Sequence, residues 1–219
     1  MIKRRIKERF DWKLKIEYED FFRNIPLHNF PSKTIIGIDG LSRSGKTTFA
    51  GELEKYLIGA GISVQVFHTD DFIVERKRRY GTGLEEWQEY YFLQWEAEHL
   101  AEFFFGKLKS ANFLELWYYD TEKDSHSLKT IDLPDEGVVL IEGVFLQRKE
   151  WRNFFDQVVY LECSAEDRFF REPQDMRNKT DLLKRRYWKA EAYYEETVKP
   201  AEQADWLFEN AVRKIGDFK

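Results

Sequence analysis

One cysteine, Cys163, stands alone in a chain of 219 residues. A single thiol forms no internal disulfide, and metal or redox sites of the Cys-x-x-Cys kind are excluded. The composition fits a reducing compartment. Uninterrupted apolar runs fall far short of about 18 residues, so no membrane-spanning helix is expected. The N-terminus lacks an apolar segment of the signal-peptide type. A cytoplasmic protein without a membrane partner is therefore expected. An excess of basic charge is also missing. With 40 acidic and 35 basic residues, the net charge is −5 and the pI about 5.6. No nucleic-acid partner is expected from such a balance.

Aromatics are abundant at 17%, within 42% hydrophobic and 34% charged residues. That composition is globular, and aromatics in this amount fill a core or line a pocket for a flat ligand. The length suits one sizeable core and is short for two domains. Residues 1–32 form a distinct extension. Ile2, Ile6, Phe10 and Leu14 recur every fourth residue among Lys3, Arg4, Arg5, Lys7 and Arg9, which predicts an amphipathic helix with a basic face. Pro26 and Pro31 end it. Residues 33–219 form the main domain.

Within that domain, buried strands are predicted at Thr34–Asp39, Ile62–Phe67, Val138–Ile141 and Val158–Leu161, with a short one near Trp206–Phe208. A helix is predicted from Lys46 to about Leu57, and a long aromatic one from Glu85 to Leu108. Phe113–Tyr119 and Leu128–Leu133 read as a hairpin. Two further helices fall at about 165–171 and 181–198. Strands alternating with helices imply a three-layer α/β fold with a parallel sheet.

The pattern Gly-x-x-x-x-Gly-Lys-[Ser/Thr] occurs at Gly40-Leu41-Ser42-Arg43-Ser44-Gly45-Lys46-Thr47, between a predicted strand and a predicted helix. Gly40 and Gly45 let the backbone turn and approach an anion. Successive N–H groups then cradle phosphates, aided by the positive end of the helix that follows. Lys46 is placed to reach the β- and γ-phosphates of ATP. The Thr47 hydroxyl is the expected Mg²⁺ ligand, in preference to Thr48. Two acidic sites follow predicted strands: Asp70-Asp71 and Glu142-Gly143. Ligands in open α/β sheets bind beyond the carboxyl ends of strands. Asp70 suits a general base and a metal contact, and Glu142 a metal contact.

The run from Gly37 to Thr48 resembles uridine kinases and their relatives, a superfamily that includes phosphoribulokinase, pantothenate kinase and nicotinamide riboside kinase. His68-Thr69-Asp70-Asp71-Phe72 resembles the family's Asp-x-Phe segment, and Val139–Val144 its Glu-Gly metal strand. Asp167-Arg168-Phe169-Phe170-Arg171 resembles the start of its lid. Arg185-Arg186-Tyr187 and Lys199-Pro200 resemble its C-terminal pattern. The resemblance implies a P-loop kinase with a short lid at Glu172–Thr180, which uses ATP and Mg²⁺ to phosphorylate a hydroxyl of a small molecule. It implies Asp70 as the base, Lys46 on the phosphates, Arg168 and Arg171 closing over the transferring group, and Thr47, Asp70 and Glu142 around the metal. The chain departs from the family at Gly81–Tyr90, where uridine kinases carry the stretch that holds the nucleoside. Uridine and cytidine are accordingly expected to be poor acceptors.

Other signals have bland alternatives. Arg76-Lys77-Arg78-Arg79 can grip an anionic acceptor or face solvent. Trp87, Tyr90, Tyr91 and Trp95 can stack a ring or pack a core. Asn178-Lys179-Thr180-Asp181 matches the guanine-reading pattern of GTPases, but the residues before it are polar rather than strand-like. His68 and His99 show no metal-site partners.

Overall fold

The computed structural model describes residues 5–6, 21–22 and 33–210. All seven predicted strand and hairpin segments form, with bounds within about three residues of those expected. The central sheet contains β1 (Arg5–Ile6), β2 (Lys33–Asp39), β3 (Val64–His68), β6 (Gly137–Gly143), β7 (Gln157–Glu162) and β8 (Trp206–Glu209). Its order is β1-β8-β7-β2-β6-β3, and every pairing is parallel. An antiparallel hairpin, β4 (Phe113–Asp120) and β5 (Ser125–Asp132), stands apart from it.

Side chains alternate across a strand, so a sheet buried on both faces sorts its apolar residues into two cores. Ile36, Ile38, Val138, Leu140, Val159 and Leu161 face one way. There they meet Phe49, Leu53 and Leu57 of helix α1 (Lys46–Gly59). Each of those three side chains is fully buried, worth about 1.5–3 kcal/mol apiece. Ile35, Val139, Ile141, Val158 and Tyr160 face the other way. Over them lie α3 (Glu86–Phe92), α4 (Ala97–Phe103) and the hairpin, while α2 (Arg76–Arg79) precedes α3 in the chain. The remaining helices are α5 (Ala165–Phe170), α6 (Gln174–Arg177), α7 (Thr180–Leu182), α8 (Lys189–Val198) and α9 (Pro200–Gln203). A π-helical turn, Leu183–Trp188, joins α7 to α8.

Two expectations change. The long helix at 85–108 is broken into α3, α4 and a 3₁₀ turn at Phe105–Lys107. Tertiary contacts cause the break. Gln94 O accepts the Val74 N–H at 3.0 Å, and Trp95 Nε1 donates to Thr69 O at 2.8 Å. These bonds pull residues 93–96 out of helical geometry. Near the N-terminus, Arg5–Ile6 is a strand paired with Leu207–Phe208, where the spacing predicted helix. Phe21 and Phe22 are buried in helical backbone, with Phe21 5.9 Å from Phe49 and 5.4 Å from Phe208 between ring centres. The rest of the predicted basic helix lies outside the described residues.

Trp95→Phe tests the break. It keeps the ring in the core but leaves the buried Thr69 carbonyl without its donor, a loss of about 1–3 kcal/mol. Urea unfolding is expected to show that loss, with the segment carrying Asp70 loosened in amide exchange.

Candidate active site

Strand register assembles the site. Parallel pairing sets Asp39 opposite Gly143, and both Ile38 and His68 opposite Glu142. The carboxyl ends of β2, β6 and β3 therefore finish side by side. The loop at residues 40–45 leaves β2, Glu142 is next to last in β6, and Asp70 follows β3 in a 3₁₀ turn, Thr69–Phe72. A cleft of about 610 Å³ opens over them. Its lining includes Lys46, Thr47, Thr48, Asp70 and Glu142, the apolar and aromatic Tyr90, Val144, Leu183 and Tyr187, and Arg171, Glu172 and Met176.

The loop takes the shape its glycines allow. Gly45 has φ 99°, and a Cβ there would meet Asn210 Nδ2 at 2.3 Å. Asn210 uses that space to donate to Ser44 O at 2.6 Å. Gly143 serves a different purpose. A Cβ on it would lie 1.9 Å from Thr69 Oγ1, so only glycine lets the Asp70 turn sit against β6. α1 begins directly after Gly45, which aims its N-terminal N–H groups at the cleft.

Charge is concentrated here. Thr47 Oγ1 donates to Glu142 Oε1 at 3.1 Å, and His68 Nδ1 lies 2.7 Å from the same oxygen. Burial pushes the Glu142 pKa up, but the His68 hydrogen bond and the charges of Lys46 and His68 outweigh it, leaving the net direction downward. Burial also raises Asp70, with Lys46 opposing. The Lys46 ammonium is lowered by burial against the pull of Glu142, Asp39 and Asp70. Its Nζ donates to Leu41 O at 2.9 Å, folded back along the loop. Asp39 is fully buried below the loop. It accepts from Gly40 N at 2.8 Å, Gln147 Nε2 at 2.9 Å and Tyr194 Oη at 2.6 Å.

A hydroxyl and two carboxylates are hard oxygen donors of the kind Mg²⁺ takes. Thr47, Glu142 and Asp70 therefore fit a cation bound jointly with phosphate and water oxygens. Among the described residues no group of three or more His, Cys, Asp or Glu could hold a metal ion unaided.

The other sequence-predicted residues divide. Arg171 lines the cleft and donates to Arg43 O at 3.0 Å. Arg168 lies away from the cleft lining; it is buried and paired with Glu191 at 2.7 Å. Each residue of Arg76–Arg79 has a partner within the protein. Arg76 donates to Thr121 O, Lys77 pairs with Glu75, Arg78 with Glu96, and Arg79 is buried on Val74 O and Tyr119 Oη. Trp95 and Tyr91 pack the core, whereas Tyr90 does both jobs and lines the cleft. Asn178–Asp181 falls at the α6–α7 junction and not at a strand end. Sequence reasoning missed Asp39, Glu191 and the pairing of His68. The last follows from the β3–β6 register, which no local pattern reveals.

The AAA-domain family model matches residues 36–191. A uridine kinase of Staphylococcus aureus is 33% identical over 140 residues, covering 63% of this chain and 66% of that protein. The matched segment thus spans just under two thirds of that relative. A solved structure from Bacillus stearothermophilus, described as a possible uridine kinase, is 47% identical. It covers 90% of this chain and 99% of its own, with TM-score 0.78. A candidate fructose transport system kinase from Silicibacter shares the fold at 18% identity and TM-score 0.69, over 91% of this chain and 100% of its own. Among the described residues, no helix is long and apolar enough to cross a membrane. The glycine loop, its buried strand and helix, and these likenesses together establish that the chain belongs to the uridine kinase-like family of P-loop small-molecule kinases.

Proposed function

We propose that this protein transfers the γ-phosphoryl group of ATP, bound with Mg²⁺, to a hydroxyl of a small metabolite. One observation carries the reading: Lys46, Thr47, Asp70 and Glu142 converge on a single cleft whose floor is a phosphate-type loop. Phosphoryl transfer asks little covalent chemistry of a protein. It needs alignment and neutralisation of charge. The loop N–H groups and Lys46 hold the β- and γ-phosphates. Thr47, Glu142 and Asp70 would hold a Mg²⁺ ion, which when bound would supply neutralising charge to the phosphates. Asp70 orients the accepting hydroxyl and takes its proton; burial, which raises its proton affinity, suits a base. Arg171, which lines the cleft, closes over the phosphates, while Arg168, expected beside it in that role, is engaged by Glu191.

The acceptor end is built from Tyr90, Val144, Leu183 and Tyr187. Of the segment Gly81–Tyr90, where uridine kinases hold the nucleoside, Gly81–Glu85 is an exposed loop outside the cleft lining, and Tyr90 alone lines the cleft. Its Thr82 is held by Glu89 at 2.8 Å. That placement supports an acceptor other than uridine or cytidine. The names of the relatives favour the second reading, a true uridine kinase.

Three outcomes test these readings. Lys46→Ala is expected to abolish ATP turnover while thermal melting stays cooperative; unchanged turnover in the folded variant would remove the central claim. Asp70→Asn is expected to lower kcat by roughly a hundredfold or more while calorimetry still shows ATP binding, and Asp71→Asn to do less. Steady-state kinetics with uridine, cytidine and a panel of other hydroxy compounds decide the acceptor. A kcat/KM for uridine above about 10⁴ M⁻¹s⁻¹ restores the nucleoside kinase.

A further inference from the structure

Ser42 lies inside the phosphate loop, and one ion pair takes both of its backbone polar groups. Its N–H donates to Glu191 Oε1 at 2.9 Å. Its carbonyl accepts from Arg168 Nη1 at 3.3 Å. Arg168 Nη1 also donates to Glu191 Oε2 at 2.7 Å, which closes a ring around a single loop residue. Glu191 is 1% exposed and Arg168 8%. The pair is itself anchored. Arg168 Nε donates to Cys163 O at 3.3 Å, and on α8 Tyr194 Oη donates to Asp39, the residue before the loop.

Burying a charged pair is a poor device for stability alone, since desolvation offsets the attraction. Its geometry here acts on the loop. The next residue, Arg43, has φ 62°, a conformation that a non-glycine residue adopts only when its surroundings impose it. A loop that had to order itself around phosphates would lose conformational entropy on binding; a loop already held loses less. The charges matter separately. A lone carboxylate under a phosphate site repels the ligand, and Arg168 cancels it.

We propose that Glu191 and Arg168 are positioning residues that hold the phosphate loop in its binding shape before the nucleotide arrives. Arg168 in addition neutralises Glu191 toward the phosphates. The inference rests on the loop being the nucleotide site, and Lys46→Ala tests that premise independently. Nucleotide affinity then depends on the pair, while acceptor binding does not.

The experiment is calorimetry with ADP and Mg²⁺ on Glu191→Gln, Arg168→Met and the double variant, alongside acceptor KM and thermal melting. Glu191→Gln is expected to weaken ADP binding by about tenfold, the scale of one hydrogen bond exchanged. Arg168→Met is expected to weaken it further, because a buried carboxylate is left uncompensated. Adding Glu191→Gln to Arg168→Met is expected to restore part of that loss. Acceptor KM is expected to stay within about twofold, the margin of a negligible free-energy change. A double variant no tighter than Arg168→Met would overturn the proposal and return Arg168 to direct phosphate contact. Wild-type ADP affinity in Glu191→Gln, or an acceptor KM that moves with ADP affinity, would overturn it as well. Should Arg168→Met not fold, the isosteric Glu191→Gln carries the test through amide exchange. Faster exchange at residues 42–44 with weaker ADP binding supports the proposal, and unchanged exchange overturns it.

Discussion

The pairing of β2 with β6 is the constraint on which the cleft depends. Parallel register fixes Ile38 against Glu142 and Asp39 against Gly143. A slip of one residue would turn every side chain of β2 to the opposite face, exchanging Ile36 and Ile38 with Ile35 and Gly37 between the two cores. Register is therefore held by hydrophobic burial on both sides of the sheet. The same register delivers the loop, the Glu142 carboxylate and the Asp70 turn to one edge. Chemistry at the cleft is in this sense a by-product of core packing, because the strand ends cannot be moved without disturbing it.

Burial of charge is the second theme. Asp39, Lys46, Glu191 and Arg168 are all largely removed from solvent within or beneath the loop. Isolated, each would be costly. They are arranged instead so that Glu191 and Arg168 meet each other, Lys46 donates to Leu41 O within the field of nearby carboxylates, and Asp39 meets several hydrogen-bond donors. Asp39 takes its bonds from Gly40, Gln147 and Tyr194, and burial still raises its pKa above the ordinary carboxylate value. A similar device operates behind the Tyr90 and Tyr187 side of the cleft. Arg186, on the π-helical turn, is 1% exposed, pairs with Glu89 at 3.2 Å and lies 4.1 Å above the Tyr80 ring. Next to it on that turn, Tyr187 meets Tyr90 edge to face at 4.8 Å. Polar anchoring thus fixes the aromatic wall from outside, where apolar packing alone would leave it free to repack.

Sequence and structure divide the molecule along a physical line. The phosphate loop, its flanking strand and helix, the positions of Asp70 and Glu142 and the hairpin were legible, because each rests on local rules: glycine conformation, continuous apolar runs and acidic residues after strands. The fold class followed from element order. What the sequence by itself could not decide were the contacts between distant segments. The aromatic stretch at 85–108 has helical composition throughout, and only the bonds to Thr69 and Val74 interrupt it. Arg168 carries the same charge whether it reaches phosphate or Glu191, and the choice belongs to α8, more than twenty residues away. His68 acquires a partner solely through the neighbouring strand. Arg76–Arg79 reads as a basic patch open to an anion or to solvent until Glu96, the hairpin and the neighbouring Val74 and Glu75 supply its acceptors. Local propensity and motif chemistry act over a few residues, whereas partner choice among charged and aromatic side chains is settled by which surfaces the sheet brings together.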